Sequence, residues 1–99
     1  MNLQALMKQA QAMQKNMVDS KKKIETMIFE GNSELVTVKM NGKRQVLSVK
    51  IKEDSSLDKD DIEILEDMIA IATNDALKQI EKEINDKLGS QAGALGSLF

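Results

Sequence analysis

Lysine is the residue type whose spacing points to chemistry in this chain of 99 residues. Lys8 and Lys15 lie seven residues apart in one segment, and Lys78 and Lys82 lie four apart in another. Either spacing places both lysines on about the same side of an α-helix. Such pairs can neutralise the phosphates of a polyanion and release its counterions. The alternative is that all four are solvated, with the second pair bound to nearby carboxylates of the same helix.

A second basic cluster combines the run Lys21 to Lys23, of which Lys22 is the central candidate, with Lys43 and Arg44 in a predicted turn. As a candidate phosphate-binding surface it ranks second, because lysines on and around an exposed sheet face also protect strand edges from aggregation. The lysines of that face are Lys39, Lys50 and Lys52. A single arginine leaves little capacity for bidentate contacts to guanine. Two phenylalanines and no other aromatic residue provide no stacking platform for single strands.

Cysteine and histidine are both absent, which excludes thiol nucleophiles, imidazole bases and soft-metal sites. The acidic stretch that starts at Asp54 resembles a calcium loop, but Lys59 stands where such a loop needs glycine and Leu65 where it needs glutamate. We therefore expect no catalysis, no metal, no cofactor and no small-molecule substrate.

Charge is distributed unevenly along the chain. Residues 1–52 contain ten cations and four anions, whereas residues 53–99 contain four cations and twelve anions. This asymmetry favours a basic surface that meets an anionic partner. The alternative is that the two oppositely charged parts simply contact each other. No long apolar run and no signal peptide is visible, so we expect a cytoplasmic protein without membrane contact.

Hydrophobic periodicity predicts two long helices. The first runs from Asn2 to about Ile28, with apolar residues at steps of three and four. The second is capped by Asp58 and runs to about Leu88, followed by a stop signal at Gly89. It carries two adjacent apolar stripes, and the second stripe indicates contact with another chain or a wide face on the sheet; that stripe is Ile64, Met68 and Ile71.

Alternating apolar residues between the helices predict a β-hairpin, with a short leading strand at residues 29–33. A four-residue loop from Asn41 to Arg44 would place Val38 opposite Leu47. It would likewise place Val36 opposite Val49. The fold class is thus α+β, with one domain over residues 1–88 and a flexible tail over residues 89–99.

The predicted helices are longer than the sheet that joins them. They measure about 40 and 46 Å, and the strands only about 24 Å. Their apolar seams therefore overhang the sheet, and either a dimer or an intramolecular antiparallel helix pair must cover them. In a dimer the overhanging helices would project as paired arms.

Four stretches together resemble the YbaB/EbfC family of bacterial nucleoid-associated proteins: MKQAQAMQ at residues 7–14, VTVKMNG at 36–42, LEDMI at 65–69 and ATNDA at 72–76. The resemblance covers residues 3–88. It implies an α-β-α fold, an intertwined homodimer with tweezer-like arms, and binding of double-stranded DNA with little sequence preference in the nucleoid. The tail departs from the family, because it lacks the ending rich in Met, Pro and Gly of many relatives.

Two other functions fit the helix–hairpin–helix plan. A prefoldin-like module would bind unfolded protein between its arms, and a coiled-coil adaptor would have no DNA affinity. The polar residues that alternate with the first helix's seam favour phosphate contact. The candidate DNA-binding residues are Lys8, Lys15, Lys78, Lys82, Lys22, Lys43 and Arg44.

Overall fold

The computed structural model describes residues 2–53 and 56–89. Its elements are α1 (Leu3–Thr26), β1 (Ile28–Asn32), β2 (Val36–Asn41), β3 (Val46–Ile51), a 3₁₀ turn (Lys59–Asp61) and α2 (Ile62–Leu88). The strands form one antiparallel sheet in the order β1-β2-β3. The predicted α+β architecture is confirmed, including the leading strand. The tail predicted to be flexible lies, from residue 90 onward, outside the described residues.

A side-chain cap defines where α1 begins, and another defines the 3₁₀ turn ahead of α2. The Oδ1 atom of Asn2 accepts a hydrogen bond from the Gln4 N–H at 3.0 Å, so α1 begins one residue later than predicted. Asp58 and Asp61 form a reciprocal capping box ahead of α2. Gly89, with φ of 56°, follows the last residue of α2. Asp58 therefore caps the 3₁₀ turn that leads into α2 rather than α2 itself, whose N-cap residue Asp61 makes no side-chain cap hydrogen bond, while the predicted stop signal is confirmed.

Helix α2 lies directly on β1 and β2, with its small residues at the contact. A Cβ added at Gly31 would meet the backbone oxygen of Ala72 and the backbone nitrogen of Ala76. Both alanines are fully buried. Val36 and Val38 pack against Ala72 from the neighbouring strand. Glycine is thus required in β1 because α2 approaches the strand backbone too closely for any side chain.

Polar groups of α2 also close the outer edge of β1. The Asp75 carboxylate accepts the Asn32 N–H at 2.9 Å, and Gln79 Nε2 donates to the Glu30 carbonyl at 2.8 Å. These backbone groups bond α2 rather than β2, so they belong to the free side of the strand. Two of the edge groups of β1 are thus occupied by α2, which hinders pairing with another strand.

The predicted hairpin register is wrong by two residues. Val38 pairs with Val49 and Val36 with Ile51, whereas Leu47 falls at an irregularity opposite Lys39 and Met40. The cause lies at Asn41, which ends β2 instead of starting the loop. Its Oδ1 accepts the N–H groups of residues 43 and 45, at 2.9 and 3.1 Å, which closes a loop over residues 42–45. The extra residue in β3 is a β-bulge, and it shifts the pairing beyond it.

Only part of α1 packs against α2. Ile24 is buried with Ile80, Ile84 and Leu88, and Met17 lies against the same cluster. Residues 2–16 are exposed along their whole length, and we call them the free half of α1. The molecule measures 70 × 19 × 16 Å. An intramolecular helix pair therefore covers one half of the predicted overhang and leaves the other half bare.

Candidate nucleic-acid interface

Three lysines follow one line along α1. Lys8, Lys15 and Lys22 succeed one another at intervals of seven residues, and all three are exposed. Lys15 lies two residues before Met17, and Lys22 two before Ile24, which are the residues that face α2. Two residues correspond to about 200° of rotation around a helix. The line of lysines therefore runs along the side of α1 that faces away from α2.

Lys78 and Lys82 occupy the corresponding outer side of α2. Each is two residues from the fully buried Ile80, and both are exposed. The same rotation places them opposite the α1 contact. The structure thus places the α1 lysines on one outer side of the helix pair and Lys78 with Lys82 on the other outer side. The two predicted lysine pairs therefore do not lie on one common face.

Neighbouring carboxylates distinguish the two sides. Among the described residues, none of these five lysines lies within ion-pair distance of a carboxylate. Residues 75–88 of α2 nevertheless contain four acidic residues beside three lysines, whereas Asp19 is the one acidic residue on the side of α1 that carries Lys8, Lys15 and Lys22. The potential at the α1 side is therefore the more positive, and a polyanion is attracted there first.

The hairpin loop adds cations at the other end of α1. Gly42 packs against the backbone of Ile24, which holds the loop on the helix. Lys43 Nζ lies 3.7 Å from the Glu25 carboxylate, which Lys21 also approaches at 3.5 Å. Lys43 is therefore partly neutralised. Arg44 is the next residue of the loop, and its backbone adopts a left-handed conformation with φ of 64°.

The outer sheet face is the second basic surface. Lys39, Lys50 and Lys52 are exposed there, as the alternation predicts. Lys50 and Lys52 border an open depression of about 210 Å³ that Ser33 and Thr37 also line. Glu34 also lines the depression and makes its potential less positive, although the face as a whole exposes three lysines, as many as the α1 line.

Strand β3 presents an apolar surface that nothing in the described chain covers. Its four apolar residues are between 41% and 51% exposed, and α2 lies over β1 and β2 instead. Ile64 and Ile71, from the second stripe of α2, are 51% and 57% exposed. Exposed apolar residues on a strand with an unpaired edge are typical of an interface. The four residues of β3 are Val46, Leu47, Val49 and Ile51.

The described residues contain no cluster of three or more acidic, histidine or cysteine side chains that could hold a metal ion. No helix among residues 2–53 and 56–89 has the length and apolar character needed to cross a bilayer.

Comparison with known proteins gives consistent matches. The model of the YbaB/EbfC DNA-binding family matches residues 1–95. A nucleoid-associated protein of Legionella pneumophila (strain Corby) is 43% identical over 96 residues, which cover 95% of this chain and 84% of that protein. A nucleoid-associated protein of Lactococcus lactis (strain IL1403) is 48% identical over 91 residues, with 90% and 91% coverage.

A solved structure shares the fold. The crystal structure of the uncharacterized protein HP0035 from Helicobacter pylori matches with a TM-score of 0.69 and 25% sequence identity. The match covers 87% of this chain and 91% of that one. The two proteins are therefore similar over nearly their whole length.

Proposed function

This chain belongs to the YbaB/EbfC DNA-binding family, and from that premise we propose that it binds double-stranded DNA in the nucleoid as a homodimer, through lysine–phosphate contacts. The observation that carries the proposal is the line of Lys8, Lys15 and Lys22 on the outer side of α1. About 10 Å separates successive lysines of this line. It thus offers a duplex three cations over about 20 Å, with Asp19 between Lys15 and Lys22 on the same side of the helix.

Contacts of this kind carry little sequence information. Lysines that bind phosphates fix the position of a protein on the duplex but do not read bases. Arg44 is the only arginine, and it lies in the hairpin loop rather than on the α1 line. We therefore propose low sequence preference.

The homodimer is supported by the contrast between the two edge strands. Asp75 and Gln79 occupy the free edge of β1, whereas β3 exposes its apolar residues. A second copy that packs against β3 and the exposed Ile64 and Ile71 would remove these residues from water. Such a dimer carries two arms, so it doubles the number of lysines available to one duplex.

Charge reversal separates the basic surfaces. We propose three variants: Lys8→Glu with Lys15→Glu, Lys78→Glu with Lys82→Glu, and Lys39→Glu with Lys50→Glu. Duplex affinity is measured by fluorescence anisotropy, and mass by light scattering. We expect the first variant to lose at least about tenfold in affinity at moderate salt, because it places repulsion where phosphates bind.

The other two variants serve as matched controls, since each reverses two exposed lysines elsewhere. We expect the α2 variant to lose less affinity than the α1 variant, and the sheet variant to lose least. All three should keep the mass of the unmodified protein. Unchanged affinity in the α1 variant would refute the assignment of the DNA interface to α1. A loss of affinity confined to the sheet variant would show that the outer sheet face binds DNA instead.

A further inference from the structure

An apolar seam continues along the free half of α1. Leu6 and Met13 lie on the same side of the helix as Met17 and Ile24, which face α2. The exposed large residues of this half are between 41% and 70% exposed, and no other described residue covers them. They are Leu3, Leu6, Met7 and Met13. A helix that keeps such a seam in water has a surface suited to a partner.

The residues around the seam are uncharged. Between Asn2 and Val18 the only charged residues are Lys8 and Lys15, and both lie on the opposite side of the helix. Gln9 and Gln14 flank the seam. Two copies of this helix can therefore approach seam to seam without bringing like charges together, whereas a charged flank would have opposed self-association.

The position of α2 restricts how two such helices can meet. From Met17 to Ile24 the seam is already covered by α2 of the same chain. A parallel arrangement would bring the two α2 ends into the same space, whereas an antiparallel overlap places the two bodies at opposite ends. The small Ala10 lies at the centre of the free half and permits close approach of the helices.

We propose that the free halves of α1 from two molecules pair antiparallel through Leu3, Leu6, Ala10 and Met13. This surface is distinct from β3, and it does not depend on DNA. If β3 forms the dimer, arm pairing joins one dimer to the next. Lys8 and Lys15 of the two paired helices then face away from each other, so one paired arm presents cations to two separate duplex segments.

The pairing is expected to be weak and dependent on concentration. A contact between two helices of about fifteen residues is far smaller than a standard protein interface. A dimer with two arms gains avidity when both arms engage. Larger species should therefore accumulate as the protein is concentrated.

Sedimentation velocity over a range of protein concentrations tests the proposal on the full chain. We expect the unmodified protein to form species larger than a dimer as its concentration rises. Leu6→Gln combined with Met13→Gln should shift the concentration for this association at least about tenfold upward. Both residues are exposed in the single chain, so the fold is retained. Gln4→Ala with Gln11→Ala is the matched control on the opposite side, and it should associate as the unmodified protein does.

The absence of cysteine permits a second readout. Ala10→Cys should be joined efficiently to a second chain by a short bis-maleimide linker, whereas Gln11→Cys, on the other side of the same turn, should not. Val49→Lys in β3 should leave this linkage intact, which separates arm pairing from the proposed dimer. The proposal is overturned if the seam variant associates as the unmodified protein does, or if Ala10→Cys and Gln11→Cys react alike.

Discussion

At Gly31 the sheet lies so close to α2 that no side chain fits between them. A Cβ atom there would lie 2.6 Å from the Ala76 nitrogen and 2.9 Å from the Ala76 Cβ, and would also overlap the Ala72 carbonyl oxygen. Helix backbone cannot rotate away as a flexible side chain can. The position of α2 on the sheet therefore depends on glycine at residue 31. Because α1 packs against α2, the position of the arm depends on it as well.

Gly31→Ala should lower the free energy of unfolding by about 3 kcal/mol, because α2 must lift from β1 to admit the methyl group. Urea denaturation followed by circular dichroism measures the change. Gly89→Ala is the control: a Cβ there meets no atom within 4 Å, and only the positive φ opposes it, which costs about 1 kcal/mol. Equal stability of the two variants would contradict the packing described here.

Residue roles differ in how far the sequence predicts them. Lys8 and Lys15 were predicted to share one side of a helix, whereas Lys22, at the same interval, was predicted to belong to the second basic cluster, so the complete line was not predicted. Asp75 is different: it is one of several carboxylates of α2 that could pair with the lysines of the same helix, whereas in the structure it accepts the Asn32 N–H. That contact joins residues 43 positions apart. Only tertiary packing creates it, so local spacing could not reveal it.

The elements were predictable where a local signal defines them. The apolar periods and the caps at Asp58 and Gly89 predict both helices, and alternation predicts the strands. The hairpin register was not predictable in this way. It depends on the hydrogen bonds of the Asn41 side chain and on the bulge at Leu47, and neither changes the alternating pattern enough to be recognised.

Strand β3 is the element on which the proposed dimer depends. Val49→Lys would place a charge at the centre of its apolar surface, and burying an unpaired charge is strongly unfavourable. We expect this variant to shift the dimer towards monomer in light scattering at dilute concentration. Its circular dichroism should be unchanged, because Val49 is already about half exposed in the single chain.

Ser48→Lys is the matched control for this element, since the neighbouring residue points to the opposite face of the sheet. It should keep the dimer mass. Duplex affinity should fall in Val49→Lys, where each monomer has one arm, and remain in Ser48→Lys. A Val49→Lys protein that keeps the mass of the unmodified protein would show that β3 is not the dimer interface.

At the scale of the whole molecule, the described residues form no ion pair between the basic and the acidic part of the chain. The ion pairs among residues 2–53 and 56–89 join Lys21 and Lys43 to Glu25, or Lys87 to Glu83. None of them connects residues 1–52 with the later, acidic part. The first part of the chain therefore retains its positive charge, and the elongated shape of 70 × 19 × 16 Å displays it along α1.

The central claim, that a dimer binds DNA phosphates through its α1 lysines, is tested most directly by the salt dependence of duplex binding. The measurement uses two duplexes of unrelated sequence and protein whose mass is that of a dimer. Three α1 lysines on each of two arms would neutralise about six phosphates, which predicts a slope of about −5 for the logarithm of affinity against the logarithm of salt concentration. Both duplexes should give the same slope and similar affinities. Binding that is insensitive to salt, or no binding by the dimer even in dilute buffer, would contradict the account.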